Sequence, residues 1–238
     1  MVKGAFMPSY SGDELFGILR PLPQRIKRGA YSIPVVPKAE IDLKNLGNGI
    51  FLQGFKNCTA KDVHCENKIV HFFLNDRELD RIYRKPLKHV PTLVKYNAVR
   101  TPDFSRFKER DEFGIINATY KNRYVGALWS SYGIKVIPTI GWAGEDSFPI
   151  CFEGVEQGST VSISTLGIHS DRECVDAFLT GFKQRKERIR PSKIICLGDF
   201  VDGMDTENVF FVPYRESFGR QFKNGWQLRL FDEKGKVQ

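Results

Sequence analysis

The chain has 238 residues, of which 41% are hydrophobic, 13% aromatic and 27% charged, enough apolar material for a sizeable core and too much for global disorder. No stretch approaches the roughly 20 apolar residues that a membrane helix needs, and Met1 to Pro8 lacks the apolar run of a signal peptide. The formal net charge of +8, with a pI near 9.2, favours encounter with nucleic acid, nucleotides or acidic proteins.

Residues 1–50 carry Pro8, Pro21, Pro23, Pro34 and Pro37 with little periodicity, and read as an irregular N-terminal arm. Residues 68–74 read as a strand and 76–84 as a short helix ended by Pro86; 93–99 reads as the next strand. Phe113, Ile116, Tyr120, Tyr124, Ala127, Leu128 and Ser131 recur at helical spacing, and Gly133 stands where a C-terminal cap belongs. The rhythm then repeats, with strands over 135–140 and 160–166 and a helical turn over 146–152 between them. Val175, Phe178, Leu179 and Phe182 mark an amphipathic helix closed by Pro191, followed by strands over 193–197 and 209–212. Phe218, Phe222 and Trp226, at spacing four, suggest a closing helix.

The resulting plan is an arm over 1–50, a core domain over 51–213 and a closing segment over 214–238. Strand and helix alternate, which predicts an α/β fold with a mainly parallel sheet, either open or a partial barrel. The strands near 93–99, 134–140, 160–166 and 193–197 are expected to be parallel neighbours. The step from 135–140 to 160–166 is the weakest, because its connection is short.

Five scattered cysteines fit reduced, partly buried thiols in a cytoplasm better than a disulfide framework. Cys58, His64, Cys65 and His71 are all ligand types, but their spacing matches no familiar zinc motif, and adjacent His64 and Cys65 would point to opposite sides of a strand. There is no Walker A loop, no G-x-G-x-x-G fingerprint, no G-x-S-x-G elbow and no H-E-x-x-H.

Two sets of residues are candidates for function. In a parallel sheet, chain direction gathers the loops after successive strands on one rim, where ligands bind. Asp103, Glu145, Asp146, His169 and Asp199 all follow predicted strands, so carboxylates gathered near a histidine would hold a divalent metal or supply a general base. The plain alternative is that these loops are acidic because they are wet. The second set is basic. Lys183, Arg185, Lys186, Arg188 and Arg190, with Lys193, face only Glu187, and read either as phosphate contacts or as a solvated helix end. Arg123, next to Tyr124 on the long helix, would reach a phosphate, pair with Asp103 or serve a structural ion pair. Trp142, at a strand end, would stack on a base or pack against the helix.

Several runs keep a recognisable order. They are Val70-His71-Phe72-Phe73-Leu74-Asn75-Asp76 with Thr101-Pro102-Asp103-Phe104-Ser105, and Tyr120-Lys121-Asn122-Arg123-Tyr124-Val125-Gly126-Ala127 with the run from Gly133 to Trp142. Cys151-Phe152-Glu153-Gly154 then leads into the run from Gly158 to Gly167. Over residues 66–170 this resembles domain-of-unknown-function family 4417, whose members occur in phages, plasmids and bacteria. The resemblance implies a mobile-element setting and carries over no activity, cofactor or catalytic residue. Two readings stay open: an accessory protein of a phage or other mobile element that binds nucleic acid or a host protein through a basic surface, or a metal-assisted enzyme acting on a phosphorylated or nucleotide substrate.

Overall fold

The computed structural model describes residues 11–41, 51–168, 172–212 and 229–230. In chain order its elements are α1 (Gly12–Leu19), β1 (Phe51–Gly54), β2 (Lys68–His71), α2 (Asp76–Arg84), α3 (Val90–Leu93), β3 (Ala98–Arg100) and α4 (Glu112–Ser131). There follow β4 (Val136–Ile137), α5 (Phe148–Cys151), β5 (Thr160–Ser164), α6 (Arg172–Arg188), β6 (Lys193–Leu197), β7 (Val209–Val212) and β8 (Arg229–Leu230).

The helix ends are written in the sequence. Asn75 caps α2, its Oδ1 accepting from Glu78 N at 3.0 Å while its Nδ2 donates to Glu78 Oε2 at 3.1 Å. Asp111 does the same for α4, accepting from Gly114 N at 2.7 Å. Beyond α4, Gly133 takes φ +85°, the left-handed conformation that lets the chain turn away after a helix.

The strands fall into two four-stranded sheets in strictly sequential order, β1-β2-β3-β4 and β5-β6-β7-β8. Every pair is parallel except β7 with β8. The two sheets meet at a parallel bridge between Thr139 and Ser162, where Ile140 N donates to Ser162 O at 2.7 Å and Ser162 N donates to Pro138 O at 2.9 Å. The expected parallel order thus holds through its weakest step, which has thinned to that bridge.

Alternation along each strand sorts the side chains into three layers. Val70, Phe72, Val99 and Val136 pack outward beneath α2 and α4. Val161, Ile163, Ile194, Cys196, Val209 and Phe211 pack outward with Phe178 and Phe182 of α6. The opposite faces of both sheets share one cluster: Leu52, Ile69, Ala98 and Ile137 meet Ile195, Leu197, Phe210 and Val212. The strands therefore curve round a common interior without closing into a barrel, an α/β arrangement of the expected class.

Two expectations need correction. Residues 90–93 are helical, and the strand begins only at Ala98. Leu93 and Tyr96 are both buried, and an odd separation would put them on opposite faces of a strand, whereas a turn begun at Pro91 brings them to one side. The second concerns the arm, whose latter part joins the core: Ile33, Val36 and Ile41 are buried in three different clusters. The helix expected around Phe218, Phe222 and Trp226 lies outside the described residues. No helix among the described residues is long and apolar enough to cross a membrane.

None of the five cysteines is in a disulfide. Burial pushes the Cys58 and Cys196 thiols up to about 12, and Cys151 is sealed in the core. A rise of that size leaves on the order of a thousandfold less thiolate near neutral pH. In the native protein only Cys65 and Cys174, both half-buried, are expected to react readily with a thiol reagent; all five should react after unfolding. A native count above two fast thiols would contradict this packing.

Candidate site at the carboxyl edge of the strands

Because β3, β4, β5 and β6 run in the same direction, their following loops meet at one edge. A cleft of about 560 Å³ opens there between the loop after β3, the segment after β4, the end of β5 and the first half of α6. Its walls include Arg106, Ile140, Trp142, Ser164, Ile168 and Phe178.

The edge is fixed from behind by α4. Asn122 Nδ2 donates to Pro102 O at 2.7 Å and to Thr139 O at 3.2 Å, tying the ends of β3 and β4 together. Thr139 N donates to Thr101 Oγ1 at 2.7 Å, and Thr139 Oγ1 donates to Thr101 O at 2.9 Å. Arg123 is fully buried, donating from Nε to Glu153 O, from Nη1 to Thr139 O and from Nη2 to Cys151 O, each at 2.9 Å. Its Nη1 also donates to Asn122 Oδ1. Arg123 is thus spent on the chain's own carbonyls and stands out of reach of an external phosphate. Burial, with the Arg106 charge adding to it, pushes its pKa down to about 9.

Asp103 pairs with Arg106, not with Arg123, at 3.1 Å. The Arg106 side chain is only 3% exposed. Its Nη1 also donates to Phe104 O at 3.2 Å and its Nε to Thr119 Oγ1 at 3.4 Å, but Nη2 is shut off from solvent and has no partner. Arg100 lies on the same face of β3 as Ala98, which is the interior face, one step beyond the pairing of Val70 with Val99 and so beside His71. It is 4% exposed, its buried Nε has no partner, and its guanidinium makes no hydrogen bond or ion pair among the described residues. Burial pushes it down to about 10, and the charge of Asp103 opposes that shift.

The described part of the rim is therefore cationic at its centre. Glu145 and Asp146 sit in an exposed turn, and Asp199 is exposed after β6. No three His, Cys, Asp or Glu side chains among the described residues gather as a metal site. His169 lies outside the described residues. Trp142 takes the packing role, stacking with Phe152 and Phe178 at 5.7 and 5.4 Å, while its Nε1 donates to Ala177 O at 3.2 Å.

The basic end of α6 is divided in the same way. Arg185 is buried, lies 3.5 Å over the Phe182 ring and pairs with Asp205, which also takes Lys186. Lys183, Arg188 and Arg190 are exposed, with Arg188 Nε bonded to Gln184 Oε1 at 3.1 Å. A more continuous basic surface lies on α2 and the turn after it. Arg77, Arg81 and Arg84 share one side of the helix, continued by Lys85 and Lys88, and all five are exposed. The acids of α2 turn elsewhere: Asp76 to Ser105 and Arg110, Glu78 to Lys56, and Asp80 to Lys121. Arg77, Arg81, Arg84 and Lys88 form no ion pair among the described residues.

The model of a family described as a domain of unknown function, DUF4417, matches residues 27–215. Two curated relatives are each named "Gene 1 protein". One, from Mycobacterium phage D29, is 32% identical over 160 residues, which is 66% of this chain and 59% of that protein. The other, from Mycobacterium phage L5, is 34% identical over 146 residues, or 60% of this chain and 64% of that protein. The chain thus spans about three fifths of the length of these relatives. No solved structure matches it.

Proposed function

The chain belongs to the DUF4417 family, a family with phage members, and from that premise we propose that it is an accessory protein of a phage or other mobile genetic element that binds nucleic acid through a basic surface. The observation carrying this reading is the exposed stripe of Arg77, Arg81 and Arg84 with Lys88, none of which forms an ion pair among the described residues. Exposed cations at helical spacing track a phosphate backbone without reading its bases, so the binding is sequence-tolerant. Lys183, Arg188 and Arg190 add positive charge at the end of α6. The enzymatic alternative, with a metal held by rim acids, draws less support, since no three His, Cys, Asp or Glu side chains among the described residues gather as a metal site.

Fluorescence anisotropy with a labelled duplex and a labelled single strand tests the proposal. Affinity should fall steeply with salt, and changing Arg77, Arg81 and Arg84 together to glutamate should flatten the log–log salt slope by roughly 2–3. The three side chains are exposed, so the variant should melt like the parent. Absence of binding at low salt would remove nucleic acid and leave a host protein as the partner to seek.

A further inference from the structure

Resting on the nucleic-acid reading above, we infer that the strand held by the α2 stripe is single, and that one of its bases enters a hollow beside the helix. The hollow, of about 310 Å³, lies where α2 and the turn after it face Phe55, just past β1. Phe55, Leu74 and Ile82 supply its apolar wall, and Arg81, Lys85 and Lys88 stand round it. Its single acid, Glu78, is already occupied: Oε1 pairs with Lys56, and Oε2 accepts from Asn75 Nδ2 at 3.1 Å. Arg81 and Lys88 have no ion-pair partner among the described residues, so the hollow keeps a positive rim. Cations round an apolar wall match a nucleotide, whose base is an uncharged ring and whose phosphate is an anion.

The apolar wall decides between strand and duplex. A duplex keeps its bases stacked inside and offers this surface only phosphates, from which Phe55, Leu74 and Ile82 gain nothing. An unpaired base is flat, largely apolar and able to turn out from its strand, and covering these side chains with it is favourable. The hollow is at the small end of ligand sites, which suits one base at a time. Arg77 and Arg84 do not line it and carry the positive charge on along the helix, which fits a chain of phosphates better than a lone nucleotide. His89 supplies a polar contact. Its ring meets Phe55 edge-on at 5.1 Å, and Phe72 packs on Phe55 at 4.8 Å, so the wall is held in place. Burial, with the charge of Lys88 adding to it, holds the His89 pKa below the usual histidine range, so near neutral pH the imidazole is uncharged. It then has one N–H donor and one acceptor nitrogen to offer to the edge of a base.

Anisotropy titrations of the full chain with three labelled probes decide the matter: an oligothymidylate of about twelve nucleotides, an abasic chain of the same length, and a duplex. The first two carry the same phosphates, so the difference between them reads contact with bases alone. The parent should bind the oligothymidylate about tenfold more tightly than the abasic chain, with equal salt slopes. His89→Ala should narrow that gap severalfold, and Leu74→Trp, which fills the hollow, should close it further. Neither substitution should change the salt slope or the affinity for duplex. Comparing the probes on the parent needs no variant, so the test stands even where Leu74→Trp fails to fold. Equal affinity of the parent for the two single chains, with a steep salt slope, would overturn the base contact and leave the basic surface standing. A gap that both folded variants leave unchanged would overturn it as well. No binding of any probe at low salt would remove the base contact and the basic surface together.

Discussion

Replacing Arg123 by methionine is expected to lower the folding stability by about 3–5 kcal/mol, a large share of what a domain of this size possesses. The guanidinium donates to Thr139 O, after β4, and to Cys151 O and Glu153 O, at the end of α5, and so joins two separate segments. Thr139 O keeps its bond from Asn122 Nδ2, but the carbonyls of Cys151 and Glu153 lose a donor that methionine cannot supply. Leaving a buried acceptor unsatisfied costs roughly 1–3 kcal/mol each. Relief of the buried charge works in the other direction. Burial has already pushed Arg123 down to about 9, so part of its gross interaction is spent on holding the cation dry. The acceptors decide the sign, because they are backbone and cannot be exchanged for apolar groups. Lysine should rescue little, since one ammonium cannot span three carbonyls set around a planar fork. Urea melts of Arg123→Met, Arg123→Lys and the parent provide the measurement. A loss below about 1 kcal/mol in both variants would mean that water replaces the guanidinium, and that the clamp behind the cleft is unimportant.

Much of this architecture is legible in the sequence because periodicity is a local property. The helix over 76–84 is α2, the helical spacing from Phe113 to Ser131 falls within α4, and Gly133 follows it with positive φ. The parallel order follows from helical crossovers, and it survives even where β4 shrinks to Val136–Ile137. What periodicity does not carry is competition between neighbours. Leu93 to Tyr96 has strand-like residues, yet burying both ends of that stretch on one side selects a turn of helix. The curvature is equally invisible, because it depends on which strand faces meet across the interior, as Ile69 and Ile195 do.

The edge at which the loops after β3, β4, β5 and β6 meet follows from chain direction, which the alternation of strand and helix makes legible. Chain direction brings Asp103 to that edge, but it does not bring out the buried Arg100 and Arg106 beside it. Arg100 follows Ala98 and Val99 in a strand whose three residues are all buried, and a charged residue in such a run was the available signal. Arg106 had none, since its burial comes from the packing of the loop after β3 under Thr119 and Phe104. The same distinction applies to the basic stretches. Composition does not separate Arg185, buried over Phe182, from Lys183, which is in water; only the angle about the helix and the presence of Asp205 do so.

Gly154→Ala should be comparably damaging, and it tests whether the N-terminal arm belongs to the core. Gly154 has φ +73°, a conformation that costs an alanine about 1–2 kcal/mol before any contact is considered. A Cβ there would lie 2.5 Å from Pro34 O and 2.9 Å from both Arg123 Cγ and Ile33 Cγ2. Pro34 O is backbone, so no rotamer relieves the contact; the arm must move. Its attachment is specific, with Val36 N donating to Gly154 O at 2.9 Å and Val36 bridging in parallel to Val155. Displacing it would expose Ile33 and Val36, each now at 0% exposure and worth roughly 1.5–3 kcal/mol of burial. The expected result is a destabilisation of about 3 kcal/mol or more. It should come with faster tryptic cleavage at Arg25, Lys27 and Arg28, which precede the buried segment. Equal urea midpoints and equal protection from trypsin in variant and parent would show that the arm rests on the core without being held by it.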